Sequence, residues 1–151
     1  MPQHPVQATN AILVSGEPII EEYEVEDCTN MYPGMFVITG TAAHQVKVAT
    51  DSSDKVIGIL DVMADENRAD MYTDSRTYVN NQQVRVLRGD CVVMARVDHA
   101  AVITVGMKVE VSDATGSVAP YATANCDVGI AEEAHAAAAL DGWLIVHLQN
   151  V

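Results

Sequence analysis

Two glycine-punctuated apolar ribbons constrain this chain more than anything else in it. The first runs Tyr32-Pro-Gly-Met-Phe-Val-Ile-Thr-Gly40, continues through Gln45-Val-Lys-Val-Ala49 and ends at Val56-Ile-Gly-Ile-Leu-Asp-Val62. A Pro-Gly pair delivers the chain into a short apolar run, a polar turn interrupts, an alternating run follows, and another apolar run opens around a glycine. A shorter echo follows at Val105-Gly-Met-Lys-Val-Glu-Val111, a turn at Asp113-Ala-Thr-Gly116, and Asp127-Val-Gly-Ile-Ala131. Short strands separated by turn residues about every ten positions make an antiparallel all-β structure. The expected fold is all-β, a small antiparallel β-barrel or sandwich. Gly34, Gly58, Gly106 and Gly129 recur at equivalent points of the two ribbons, as turns or as places where strands approach closely.

The remaining segments fit that frame. Residues 1–18, with three prolines and a small apolar patch Ala11-Ile-Leu-Val14, read as a flexible N-terminal arm. Residues 19–151 then form a single β-rich domain, since a chain of 151 residues buries roughly two thirds of its unfolded surface around one core. Ile19 to Cys28 alternates, with Tyr23 and Val25 on one face and Glu22, Glu24 and Glu26 on the other, a half-exposed strand whose glutamates guard a sheet edge. Val84–Arg88 and Cys91–Val97 flank Gly89-Asp90, which reads as a hairpin turn. In the second of these strands Cys91, Val93, Ala95 and Val97 share one face. Val92, Met94 and Arg96 share the other, so both faces need cover from another sheet or a partner. Residues 64–83 are an irregular loop, long enough to be a binding segment. Glu132–Leu140 reads as a turn of helix or a loop before Gly142, and Trp143–Leu148 as a last core strand.

Composition excludes some functions. There are 21 Asp and Glu against 8 Lys and Arg, a formal net charge of -13, with lysine only at 47, 55 and 108. Nucleic-acid binding rests on Lys and Arg displacing counterions, so no nucleic-acid partner is expected. The same field argues against anionic membranes, and no apolar run approaches the roughly 18 residues of a membrane helix. Acidity with scarce lysine fits a halophilic setting, where salt screens self-repulsion. Cys28, Cys91 and Cys126 are odd in number and widely spaced, with no CxxC, and read as small buried hydrophobes or stray thiols of a protein made in a reducing cytoplasm.

Catalytic motifs are missing: no G-x-S-x-G, P-loop, G-x-G-x-x-G or H-E-x-x-H. The acidic clusters Asp51-Ser-Ser-Asp54 and Asp61 to Asp74 do not match a calcium loop, and Asp98-His99 without a nucleophile reads as a polar pair at a strand end. No enzyme, metal or cofactor is expected.

With these residues in view, Pro33-Gly-Met-Phe-Val and Val56-Ile-Gly-Ile-Leu-Asp-Val-Met-Ala-Asp65 resemble the heart of the head decoration, or capsid cement, proteins of tailed viruses. Gly106-Met-Lys-Val, Asp113-Ala-Thr-Gly116 and Val128-Gly-Ile-Ala131 are similar to related cement proteins. The resemblance covers residues 32 to about 148. It implies a virion protein, made in the host cytoplasm, that forms a homotrimer on the exterior of an icosahedral capsid and clamps the major capsid protein. Ile12, Leu13 and Val14 of the arm, with Arg68, Met71, Tyr72, Arg76 and Tyr78 of the long loop, are then the candidate capsid or subunit contacts. A carbohydrate- or other ligand-binding β-module is the alternative, with Trp143 and the tyrosines as the available aromatic platforms.

Overall fold

Each ribbon closes on itself through a parallel strand contact. The computed structural model describes residues 12–50, 55–61, 78–112, 116–122, 126–138, 142–149 and 151. The described residues form eleven β-strands and no helix. The first ribbon supplies β3 (Phe36–Thr39), β4 (Gln45–Val48) and β5 (Gly58–Leu60), and it is bracketed by β2 (Ile19–Val25) and β6 (Gln83–Arg88). These five strands close a barrel in the order β2-β4-β3-β5-β6. All contacts are antiparallel except β2 with β4, which run parallel at Glu24↔Gln45 and Val25↔Val46.

The second ribbon repeats the arrangement. It supplies β8 (Lys108–Val111), β9 (Val118–Pro120) and β10 (Asp127–Ala131), bracketed by β7 (Cys91–Val97) and β11 (Gly142–Leu148). The order is β7-β11-β10-β8-β9, and a parallel contact Val97↔Val118 brings β9 back to β7. Strand for strand, β2 to β6 correspond to β7 to β11. The match extends to single hydrogen bonds. Gly34 N donates to Leu60 O (2.9 Å) as Gly106 N does to Ala131 O (2.8 Å), and Glu26 N donates to Val46 O (2.9 Å) as Asp98 N does to Val118 O (3.0 Å).

The interiors are valine-rich because β-branched side chains suit the pleated wall of a narrow barrel. Val25, Val37, Val46, Leu60, Val84 and Val86 fill the first; Val93, Val97, Val109, Val111, Leu144 and Val146 fill the second. The outward side chains of Phe36, Ile59 and Leu87 on the first barrel join the buried cluster of the second. One continuous apolar seam therefore binds the two barrels.

Two features differ from the sequence-based expectations. Within the span expected to be a flexible arm, Leu13–Gly16 form β1, which pairs antiparallel with β7, and Ile12 is fully buried. Apolar Ile12, Leu13 and Val14 gain more by packing on the second barrel's cluster than by staying in water; residues 1–11 lie outside the described residues. Gly89-Asp90 is not a hairpin turn. Gly89 takes φ +92 and hands the chain from β6 in one barrel to β7 in the other. Of the two alternatives for Glu132–Leu140, residues 132–138 take the loop: they are irregular and held by a bridge between Ile103 and His135, because their backbone bonds go to neighbouring segments rather than to their own next turn.

Candidate functional site

The joint between the barrels has the most defined chemistry among the described residues. Strand β7 alternates, so Val93, Ala95 and Val97 enter the barrel while Met94 and Arg96 point out. Pointing out does not expose them: Met94 and Arg96 are both buried. The outer edge of β7 is covered by two segments, with Met94 N donating to Ile12 O (2.8 Å) and Arg96 N to Gly34 O (2.9 Å). Arg96 Nε donates to Pro33 O (2.7 Å), and its guanidinium lies 5.1 Å from the Tyr32 ring and 4.8 Å from the Trp143 ring. Two aromatic rings within cation–π range and the Nε bond to Pro33 O stabilise this buried guanidinium. Gly34 permits this contact: its φ is +83, and a Cβ there would sit 2.5 Å from the Trp143 ring. The tryptophan that stood out as a sugar platform is thus occupied within the chain.

Polar braces hold the turns beside each parallel contact. In the first barrel Glu26 accepts from the Thr41 backbone N–H and hydroxyl; in the second, Asp98 accepts from Ala100 N and Ser112 Oγ, both at 2.9 Å. Bonds from the Thr41 hydroxyl hold Glu26 below the usual carboxylate range, and the Ala100 N–H does the same for Asp98. Asp98 with His99 is therefore a turn brace. Glu21 accepts from the Tyr23 hydroxyl and pairs with Arg88 at 2.6 Å, which lowers its pKa. These three, with Lys55, Val56, Ile57 and Val151, line a cavity of about 250 Å³. Glu21 and Arg88 oppose one another there. None of the three cysteines is in a disulfide, and burial pushes the Cys91 thiol up. Among the described residues no group of three His, Cys, Asp or Glu side chains is placed to hold a metal.

The candidate contact residues are scattered by the fold. Ile12 is consumed by the core, Leu13 and Val14 are half-buried on β1, and Tyr78 is buried in the first barrel's cluster. Arg68, Met71, Tyr72 and Arg76 lie outside the described residues. Gly34 and Gly106 occupy matching turns at φ +83 and +84. Gly58 and Gly129 sit inside β5 and β10, where an added Cβ would meet the backbone oxygens of Leu87 and His147. Sequence reasoning missed Arg96 as the centre of the joint, although an arginine on an otherwise apolar strand face was the visible signal. It also passed over two exposed apolar pairs, Ile19 with Ile20 at the start of β2 and Val102 with Val105 before β8.

Comparison with known proteins follows the same lines. The family model described as structural cement protein (E217 gp24/Pam3 gp6) matches residues 12–148. Among solved structures, the head fiber gp8.5 N base of bacteriophage phi29 is similar with a TM-score of 0.57 at 9% identity, over 89% of this chain and 96% of that one. At that identity the likeness concerns the fold alone. No curated protein sequence matches the chain.

Proposed function

The chain belongs to the phage structural cement protein family, and from that premise we propose that it forms a homotrimer on the outer surface of an icosahedral capsid and clamps subunits of the major capsid protein. That it is a capsid-stabilising virion protein follows from the family; its oligomeric state, its exterior position and its grip on neighbouring subunits are the proposal. The observation that carries it is the matched span itself, residues 12–148, which takes in β1 and every strand of both barrels. Two barrels locked by a buried Arg96 joint suit a part that must transmit force without yielding, and a net charge of -13 suits an outer face that ignores the packaged genome. We carry the halophilic setting and synthesis in the host cytoplasm as parts of the same proposal. Leu13 and Val14, with Arg68, Met71, Tyr72 and Arg76, remain the proposed contact residues.

The mechanism is mass action. A protein that binds the assembled shell but not its separated subunits stabilises the shell by RT ln(1 + [L]/Kd), about 2.7 kcal/mol per site at a hundredfold excess over Kd. The test is to heat bare heads with and without the purified protein and follow genome release. Heads carrying the protein are expected to open at a higher temperature; identical opening temperatures would defeat the proposal.

A further inference from the structure

The two barrels share a topology but not their surroundings, and the difference falls on one surface. In the first barrel the turn at 32–35 and the outward residues after it are covered by the second barrel. Pro33, Gly34 and Phe36 are all buried there. In the second barrel no described residue covers the matching turn in the same way. Val105 stands where Pro33 does and is 66% exposed; Gly106 stands where Gly34 does, and a Cβ built on it would meet nothing within 4 Å. Val102 beside it is 60% exposed, and Lys108, in the place of Phe36, is exposed with its ammonium 5.7 Å from the Tyr121 ring.

The receiving surface shows the same asymmetry. On β7 the edge opposite β11 is covered by β1 and by the Gly34 turn. The corresponding strand of the first barrel is β2. There Glu24 N donates to His44 O, but over Ile19–Tyr23 no described strand pairs with the edge opposite β6. Ile19 and Ile20 on that stretch are 50% and 51% exposed, and Glu22 is exposed beside them. Four of the exposed large apolar side chains thus lie on the two surfaces whose counterparts are joined within the chain.

We infer that the 102–108 turn of one copy seats on the open edge of β2 in a second copy, repeating between chains the contact that joins the barrels within one. The inference rests on the self-association proposed above and supplies the surface for it. Charge agrees. Each copy carries a net charge of -13, so self-contact needs a cation on one side, and Lys108 is one of three lysines in the sequence. Glu22 and Glu24 lie on the outward face of β2 in the places of Met94 and Arg96, so the cation and the two carboxylates fall on the two surfaces that the contact would join. Such a contact is head to tail, so each copy both gives and receives, and the assembly closes as a ring when the rotation allows.

The experiment is sedimentation of the full chain over a range of concentrations, with circular dichroism to verify folding. The wild type is expected to run as an oligomer. Val105→Asp and Ile20→Asp are expected to run as single folded chains, with self-association weakened about 30-fold or more, the loss expected at a central buried contact. Lys108→Glu is expected to weaken assembly, and combining it with Glu22→Lys is expected to restore it. Wild type and all variants sedimenting as the same oligomer would overturn the inference while leaving self-association intact. A wild type that stays a single chain at every concentration would overturn the self-association reading, and this inference with it.

Discussion

Gly34 and Gly106 have nearly the same backbone geometry, φ +83 and +84, in opposite surroundings. That makes them an internal control. Alanine at Gly106 meets open space within its own chain, so in the dissociated chain its cost is the left-handed backbone alone, about 1 kcal/mol. Alanine at Gly34 adds a Cβ pressed into the Trp143 ring and loosens the seat of Arg96, so its cost is expected to be about 2 kcal/mol larger. Urea unfolding midpoints of the two variants measure the difference directly; equal losses would mean that the joint contributes nothing beyond its strand pairing. Both glycines were legible in the sequence, because a chain that needs a positive φ has few residues to choose from. Which of them is buried was not legible. Burial depends on what lies against the turn, and nothing in Pro33-Gly34 or Val105-Gly106 encodes its neighbour.

At the scale of elements, β7 is the strand on which both halves meet. It pairs with β1, β11 and β9, and the Gly34 turn fills the interval between β1 and β9 on its outer edge. The apolar character of both its faces was visible in Cys91–Val97 and correctly implied cover on each side. The identity of the cover was not visible, because Leu13–Gly16 reads as part of a proline-bearing arm and is short for a strand. Gly89-Asp90 was misleading for a related reason: a glycine turn between two strands looks the same whether they pair or part company. Replacing Arg96 with alanine is expected to lower stability by about 3 kcal/mol, since it leaves Pro33 O without its donor and removes a cation from between two rings. Thermal unfolding measures the loss, and Trp143 emission is expected to shift to longer wavelength as water reaches the ring. An unchanged emission maximum would show that the tryptophan does not depend on Arg96 for its shelter.

The whole molecule is a duplicated five-strand design, and the duplication explains why two ribbons with glycines at matching places appear in one chain. The ribbons made the fold class readable, because alternation and glycine spacing report a barrel wall directly. They did not report that each ribbon closes its own barrel, since the parallel contacts β2–β4 and β7–β9 are short and join strands distant in sequence. The surfaces that matter for assembly were the least legible. Val102, Val105, Ile19 and Ile20 are ordinary apolar residues until the fold shows them uncovered. The family places this molecule in the virion, and the central claim is that a rigid pair of barrels grips the outside of the shell. Image reconstruction of intact particles tests it most directly. The account predicts paired barrel-shaped densities on the outer capsid surface, grouped around threefold positions and touching more than one major capsid subunit; particles whose exterior carries no such density would contradict it.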